Sequence, residues 1–472
     1  MLQKISILSA LLWLLSSYTA YSQQPDGEID LSRPLSLDAC LVYALQNSET
    51  IEIAELERAI AKADVGVTKS QGLPQLNGSI NYTNNFAIQR QFLPDFISPT
   101  VYQVLLQEQL LPDGSQIPEP GIFPAAFGVT HSSTAGITLS QMLFDGSYFV
   151  GLEAARTYTE LSDKSYQQSK VEVAEQVTKA YYTVLVNRER QELVNSNFDR
   201  LDTLLRETKL MYENGFVEKI DVDRLQVQYN NSRAEQENTS RLTELSYYLL
   251  KFQMGIPVGQ EITLAGNIQD IDFDPEIAAE SEFQYEQRPE YAQILVNQEL
   301  VQLDMKNNQV QYIPKLTANA AFGYNTGVND FSEITSFSDQ WFEYGFAGIT
   351  LDIPIFDGLR KYHAIQKNKV QARQIELQSR FLRNQIDLEI AQARVDLQNS
   401  LDALEVQEEN LDLAQEVFRV TNIKYQEGVG ANLEVIEAEN ALQTAETNYF
   451  NALYNALIAK VDLKKSLGIL VE

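Results

Sequence analysis

Tyr212-Glu213-Asn214-Gly215-Phe216, running on to Asp221-Val222, and Tyr425-Gln426-Glu427-Gly428-Val429, running on to Glu434-Val435, are one pattern written twice. In each, a Tyr stands three residues before a Gly and an acid stands six residues after it. Gly lets a helix stop and the chain turn. Both stretches are flanked by long segments of helical composition. From Ser147 to Met211 there is no Pro, and the only Gly is Gly151. As one helix that segment would be roughly 100 Å long at about 1.5 Å per residue. The sequence therefore predicts two helical hairpins with matching tips, at about 212–222 and 425–437.

Outward from the tips, the repeat covers most of the chain. Pro74-Gln75-Leu76 matches Pro314-Lys315-Leu316. Gly136-Ile137-Thr138-Leu139 and Phe144-Asp145-Gly146 match Gly348-Ile349-Thr350-Leu351 and Phe356-Asp357-Gly358 without a gap. Tyr212, Gly215, Val222 and Gly255 match Tyr425, Gly428, Val435 and Gly468, again ungapped. After each Pro the hydrophobic period changes to two: Leu76, Gly78, Ile80 and Tyr82 in the first copy, Leu316, Ala318, Ala320, Phe322 and Tyr324 in the second. Period two is the mark of a half-buried strand. Strands are expected at about 76–88, 132–144, 316–325 and 343–356. The division is then a first repeat over 23–257, a connector over 258–284 and a second repeat over 285–472.

Ahead of each strand pair lies a helical pattern. The first runs from the N-cap candidate Ser36 to about Gln71, the second from Glu290 to Tyr312. Residues from about Gln89 to Thr130 carry Pro94, Pro99, Pro112, Pro118, Pro120 and Pro124 and are expected to be one long loop. The final helix carries Ala438, Ala441, Ala445, Ala452, Ala456 and Ala459 at heptad-like spacing, and Ser232, Thr239, Thr243 and Ser246 partly repeat the stripe. Small residues on such a stripe let neighbouring helices pack closely along their length.

Composition bounds the function. Lys4, the apolar run Ile5 to Leu15 and Ala20-Tyr21-Ser22 form an export signal over 1–22, so the mature chain is expected to begin near Gln23. The apolar run is too short to span a bilayer as a helix, and no other stretch approaches that length. A formal charge of −29 argues against nucleic acid as a partner, because phosphate binding needs a basic face. The single cysteine, Cys40, makes no intrachain disulfide. His131 and His363 are the only histidines, and neither stands at metal-ligand spacing from a carboxylate cluster. With no phosphate-cradling Gly-rich loop either, no cofactor, metal site or enzyme chemistry is expected.

Four amphipathic strands cannot close a membrane barrel, because lipid offers no hydrogen bonds to an open edge and even small barrels use about eight strands. The strands must be pooled across copies of the chain.

The duplicated helix–strand–strand–helix order, the Pro-Gln-Leu and Phe-Asp-Gly strand borders and the Tyr-x-x-Gly tips resemble the TolC family of outer-membrane efflux channels, over about residues 36–470. The resemblance implies a mainly α fold with a β-barrel portion. It implies a homotrimer whose 12-stranded barrel sits in outer-membrane lipid and continues as a periplasmic α-helical barrel. Residues 258–284 would fall in an equatorial region near the helix midpoints. The tips would form the periplasmic entrance. A periplasmic adaptor would dock there, and an inner-membrane pump, proton-driven or ATP-driven, would supply the energy. Two acids that ring the constriction in relatives correspond to Glu434 and Glu437, three apart on one helical face. Such a ring would hold cations and repel anions. A tip Tyr that bonds an acid of the other hairpin corresponds to Tyr425 and Asp221. An Arg latch on the second tip is replaced by Gly430, and its hydroxyl partner by Ile220, so that latch is expected to be absent or rebuilt.

The leading expectation is an exit duct of an efflux or type I secretion system. The alternative is a structural coiled coil that spans the periplasm from an outer-membrane anchor. A passive nutrient porin suits the strands but leaves the long helices unexplained.

Overall fold

The computed structural model describes residues 30–112, 114–117, 119, 121–268, 283–335 and 340–471. The export signal, the expected start near Gln23 and the connector residues 269–282 lie outside these. In chain order the elements are α1 (Leu37–Asn47), α2 (Glu49–Ser70), β1 (Gln75–Asn84), β2 (Arg90–Pro94), α3 (Ile97–Gln107), β3 (Ile122–Ala126), β4 (His131–Phe144), α4 (Gly146–Glu213), α5 (Lys219–Met254), α6 (Pro289–Val310), β5 (Lys315–Val328), α7 (Phe331–Thr335), β6 (Phe342–Asp352), α8 (Arg360–Gln426) and α9 (Asn432–Ser466). The fold is mainly helical. The chain divides into two compact units, one of residues 1–55, 166–289 and 383–472, the other of 56–165 and 290–382.

The second unit holds a four-stranded antiparallel sheet in the order β1-β4-β5-β6. Leu76 pairs with Leu139 and Leu316 with Leu351, so residues equated by the repeat take equivalent places in the two hairpins. Alternation along a strand sends neighbouring side chains to opposite faces. One face carries Leu76, Ile80, Ile137, Leu139, Phe322, Tyr324, Ile349 and Leu351. These are open to solvent in the protomer, Ile80 at 82% and Ile349 at 70%. The opposite face carries Asn77, Ser79, Asn81, Thr134, Thr138, Thr317, Asn319, Asn325 and Thr350, interrupted by Phe342, Tyr344 and Phe346 on β6. The sheet is thus apolar on one side and largely polar on the other. Its outer strands β1 and β6 each present an unpaired edge.

The stretch expected to be one long loop has structure of its own. β2 and β3 form a two-stranded ribbon, and α3 stands between them. Three of its prolines sit where a missing N–H costs little. Pro94 ends β2, Pro124 lies in a two-stranded ribbon where every strand is an edge, and Pro99 falls in the first turn of α3. Asp95 Oδ1 accepts from Ile97 N at 3.2 Å and Ser98 N at 2.9 Å and starts that helix. The helix expected from Ser36 to Gln71 is also two. Ser48 is extended, and its carbonyl accepts from Ile51 and Glu52, which opens α2 afresh.

The first unit is built of helices around a core that includes Cys40, Val177, Val184, Leu250, Met254 and Leu457. The described part of the connector is pinned to it: Leu35 N donates to Thr263 O at 2.8 Å, and Ala265 N donates back to Leu35 O at 2.8 Å. The small-residue stripes are inside. Ser232, Thr239, Thr243 and Ser246 of α5 are buried, as are Ala438, Ala445, Ala452, Ala456 and Ala459 of α9, while Ala441 is exposed.

Candidate functional site at the helical tips

Both tips are built the same way. Gly215 N donates to Tyr212 O at 2.9 Å and Phe216 N to Met211 O at 2.8 Å; Gly428 N donates to Tyr425 O and Val429 N to Lys424 O, both at 3.0 Å. This paired bonding closes a helix by the Schellman arrangement, with a glycine in the left-handed region. Gly215 has φ +80° and Gly428 φ +75°. The Tyr of the repeated pattern therefore supplies the carbonyl that caps its helix. Beyond each turn an apolar side chain is left in the open, Phe216 and Val429, both 80% exposed.

The two tips pack on each other through Leu204, Leu205, Leu225, Tyr425, Val435 and Ile436, with Met211, Val222, Tyr229 and Phe418 around them. Polar bonds cross the same contact. Asn432 Nδ2 donates to Asp221 O at 3.1 Å, and Gln228 Nε2 to Asn440 Oδ1 at 2.9 Å. The Tyr425 ring is buried, and its hydroxyl shares a hydrogen bond of 3.2 Å with that of Thr208, which is fully buried.

The expected latch partners do not meet within the protomer. The Asp221 carboxylate serves its own helix: Oδ2 accepts from Glu218 N at 3.3 Å in a capping box, and Arg224 lies 3.9 Å away. At Gly430, where the resemblance implies an Arg in relatives, any side chain would be crowded. A Cβ on Gly430 would lie 3.0 Å from Tyr425 N and 3.1 Å from the Lys424 carbonyl carbon. Glu434 and Glu437 stand together on the exposed side of α9, and among the described residues neither makes an ion pair. The opposite side of that helix, Val435, Ile436 and Leu442, faces the core.

Sequence reasoning passed over the polar groups beneath the tips. On α9, Glu439 and Glu446 are only 2% and 5% exposed. Arg200 Nη2 lies 3.6 Å from Glu439 Oε1, and the Arg200 guanidinium sits 5.2 Å from the centre of the Phe418 ring. Asn197 Nδ2 donates to the Glu446 carboxylate. Burial pushes both carboxyls up, Glu446 to about 7, against the opposing pull of Arg200 on each and the Asn197 bond on Glu446. The available signal was two glutamates seven apart, in register with the apolar side of an otherwise alanine-lined helix.

The outer membrane efflux protein family matches residues 41–245 and 285–469. Outer membrane protein TolC of Vibrio cholerae is 22% identical over 72% of this chain and 77% of its own length. Pyoverdine export outer membrane protein OpmQ of Pseudomonas aeruginosa is 24% identical over 92% of this chain and 85% of its own. Among solved structures, outer membrane protein VceC of Vibrio cholerae superposes with a TM-score of 0.64 at 16% identity, covering 92% of this chain and 96% of that one. The CmeC outer membrane channel of Campylobacter jejuni superposes with a TM-score of 0.66 at 15% identity, covering 96% and 91%.

Proposed function

The chain belongs to the outer membrane efflux protein family, and from that premise we propose that it is the outer-membrane exit duct of a tripartite efflux or type I secretion system, working as a homotrimer. The observation that carries this reading is the sheet. Its exposed apolar face suits lipid, its other face suits a wet lumen, and its β1 and β6 edges are open. No helix among the described residues is long and apolar enough to cross a membrane. In lipid every strand edge has to be paired. Joining β6 of one copy to β1 of the next pairs all edges when three copies close a ring of 12 strands, within the range of bacterial barrels.

The helical hairpins then form the periplasmic duct, and the tips its entrance. Glu434 and Glu437 from three copies place six carboxylates around the narrowest point, where they select for cations. Tyr425 and the residues packed around it hold the entrance closed. The relatives point to the setting: their names describe pyoverdine export and alkaline protease secretion. Here an inner-membrane pump, acting through a periplasmic adaptor at the tips, supplies the driving force.

The test is membrane fractionation with chemical cross-linking, followed by planar-bilayer recording of the purified protein. Trimers in the outer-membrane fraction that give small, cation-selective conductance are the expected result. A soluble monomer or dimer, or an outer-membrane trimer that never conducts, would overturn the duct in favour of a structural coiled coil.

A further inference from the structure

Helices α4 and α9 belong to different hairpins and are joined by two charged seams. In the one far from the tip turns, Glu175 on α4 bonds Lys179 at 2.8 Å and Lys465 at 2.7 Å, and Lys179 also reaches Asp462 at 2.5 Å. Two acids meet two bases, and the charges balance. Burial alone would raise Glu175, but the bonds from Lys179 and Lys465 outweigh it and hold the carboxyl below its ordinary value.

The seam near the tips is one positive charge short. Glu439 and Glu446, both buried, face Arg200 alone. The Arg200–Glu439 ion pair, at 3.6 Å, is longer than an ordinary hydrogen bond, and the only other group that pulls the Glu439 carboxyl down is the neutral Gln443 side chain, so burial prevails. Among the described residues lining these grooves, no second base is uncommitted. On α4, Asn197 is neutral and Arg190 is engaged with Glu235 of α5 at 2.8 Å. Glu192, Asp199 and Glu207, also on α4, rim the groove above Arg200 and are acidic. From α5 come Asn231 and Ser232 besides Glu235, from α8 Phe418 and Asn422, and from α9 itself Gln443. Two buried carboxylates with one cation are not both stable as anions in a medium of low polarity.

Resting on the reading of the tips as the closed entrance, we infer that a proton on the Glu439–Glu446 pair is the missing positive charge of this seam, and that its release loosens α9 from α4 and favours opening. The seam lies about one to three helical turns past the apolar tip contact along α9, so its loosening acts on that contact through the same helix. The direction follows from burial. A carboxyl whose value is raised in the packed state binds its proton more tightly there, so packing is favoured at low pH. That advantage fades as pH climbs from about 4.5 to about 7, the ordinary and raised values for Glu446, by up to about tenfold per pH unit for one proton.

Amide hydrogen exchange of the intact trimer in detergent, corrected for intrinsic rates, reads the seam without relying on conduction. Protection over residues 432–446 should fall by about tenfold or more between pH 5.5 and 7.5, following that linkage. Glu446→Gln should abolish most of this dependence and stay protected at pH 7.5. Glu409→Gln, at an exposed position of α8, should keep it. Asn197→Asp adds an acid and should reduce protection already at pH 5.5, which supplies a second arm if Glu446→Gln does not assemble. In planar bilayers the open probability should follow the same profile. Equal pH dependence in the parent and Glu446→Gln, or no effect of Asn197→Asp, would overturn the inference. A trimer that shows the exchange behaviour and never conducts would overturn the duct while leaving the proton clamp in place.

Discussion

Tyr425→Phe removes one hydroxyl from the contact between the tips and little else. The lost bond is the neutral one to Thr208 at 3.2 Å, in a fully buried place. A neutral intramolecular hydrogen bond is worth about 0.5–1.5 kcal/mol net. At about 1.4 kcal/mol per factor of ten, that shifts the closed–open balance of one protomer about two- to tenfold. In the proposed trimer, three tips opening as a unit multiply this to about ten- to a thousandfold. Single-channel recording gives the open probability, and a double-mutant cycle assigns the bond. Tyr425→Phe with Thr208→Val should show a coupling of about 0.5–1.5 kcal/mol, because either change alone breaks the same bond. Tyr425→Phe with Asp221→Asn should be additive within about 0.5 kcal/mol, because the Asp221 carboxylate is occupied with Glu218 N in its own helix start. Coupling between Tyr425 and Asp221, with none between Tyr425 and Thr208, would refute this account of the closed tip.

Replacing Glu434 and Glu437 together by Gln removes six charges from the proposed entrance; the reversal potential in a salt gradient should show weaker cation preference, and an unchanged potential would remove these residues from the constriction. Gly255→Ala should lower the thermal midpoint by far more than Gly428→Ala. Both have φ of +75°, but a Cβ on Gly255 would lie 2.5 Å from Asn47 O whereas that on Gly428 meets nothing; the expected costs are more than about 2 kcal/mol and about 1 kcal/mol respectively, and equal midpoints would refute the argument from crowding. Protease added to intact cells should cut between β1 and β4, within 85–130, and cleavage at the Gly215 turn under those conditions would invert the proposed orientation.

The hairpin tips and the paired strands were legible because each is marked by local chemistry. A Gly in the left-handed region ends a helix whatever surrounds it, and alternation along Leu76–Tyr82 sets a face without reference to neighbours. The ribbon and helix between β1 and β4 were not legible, since prolines that signal a loop are equally at home at an edge strand and in a first helical turn. The break at Ser48 escaped for a different reason: helical periodicity continues across it, and the kink is a packing event beside Gly255. In the site, Glu434 and Glu437 could be placed on one face by spacing alone. The partner of Tyr425 could not, because Thr208 lies 217 residues away and carries no pattern of its own. Gly430 foretold a missing Arg; that a side chain there would crowd the backbone of Lys424 and Tyr425 needed coordinates.

The open edges of β1 and β6 also bear on biogenesis. A lone protomer carrying two bare strand edges and an oily sheet face is a poor guest in either solvent: water penalises the face, and lipid penalises the edges. If the proposed trimer forms, entry into the bilayer and recruitment of the second and third copies are thermodynamically a single event. Its yield should depend steeply on how many newly exported chains are present at once. Unassembled chains will tend to pair edge to edge in open-ended rows unless a holding factor covers them, so overexpression should fill the periplasm with aggregate well before it saturates the membrane.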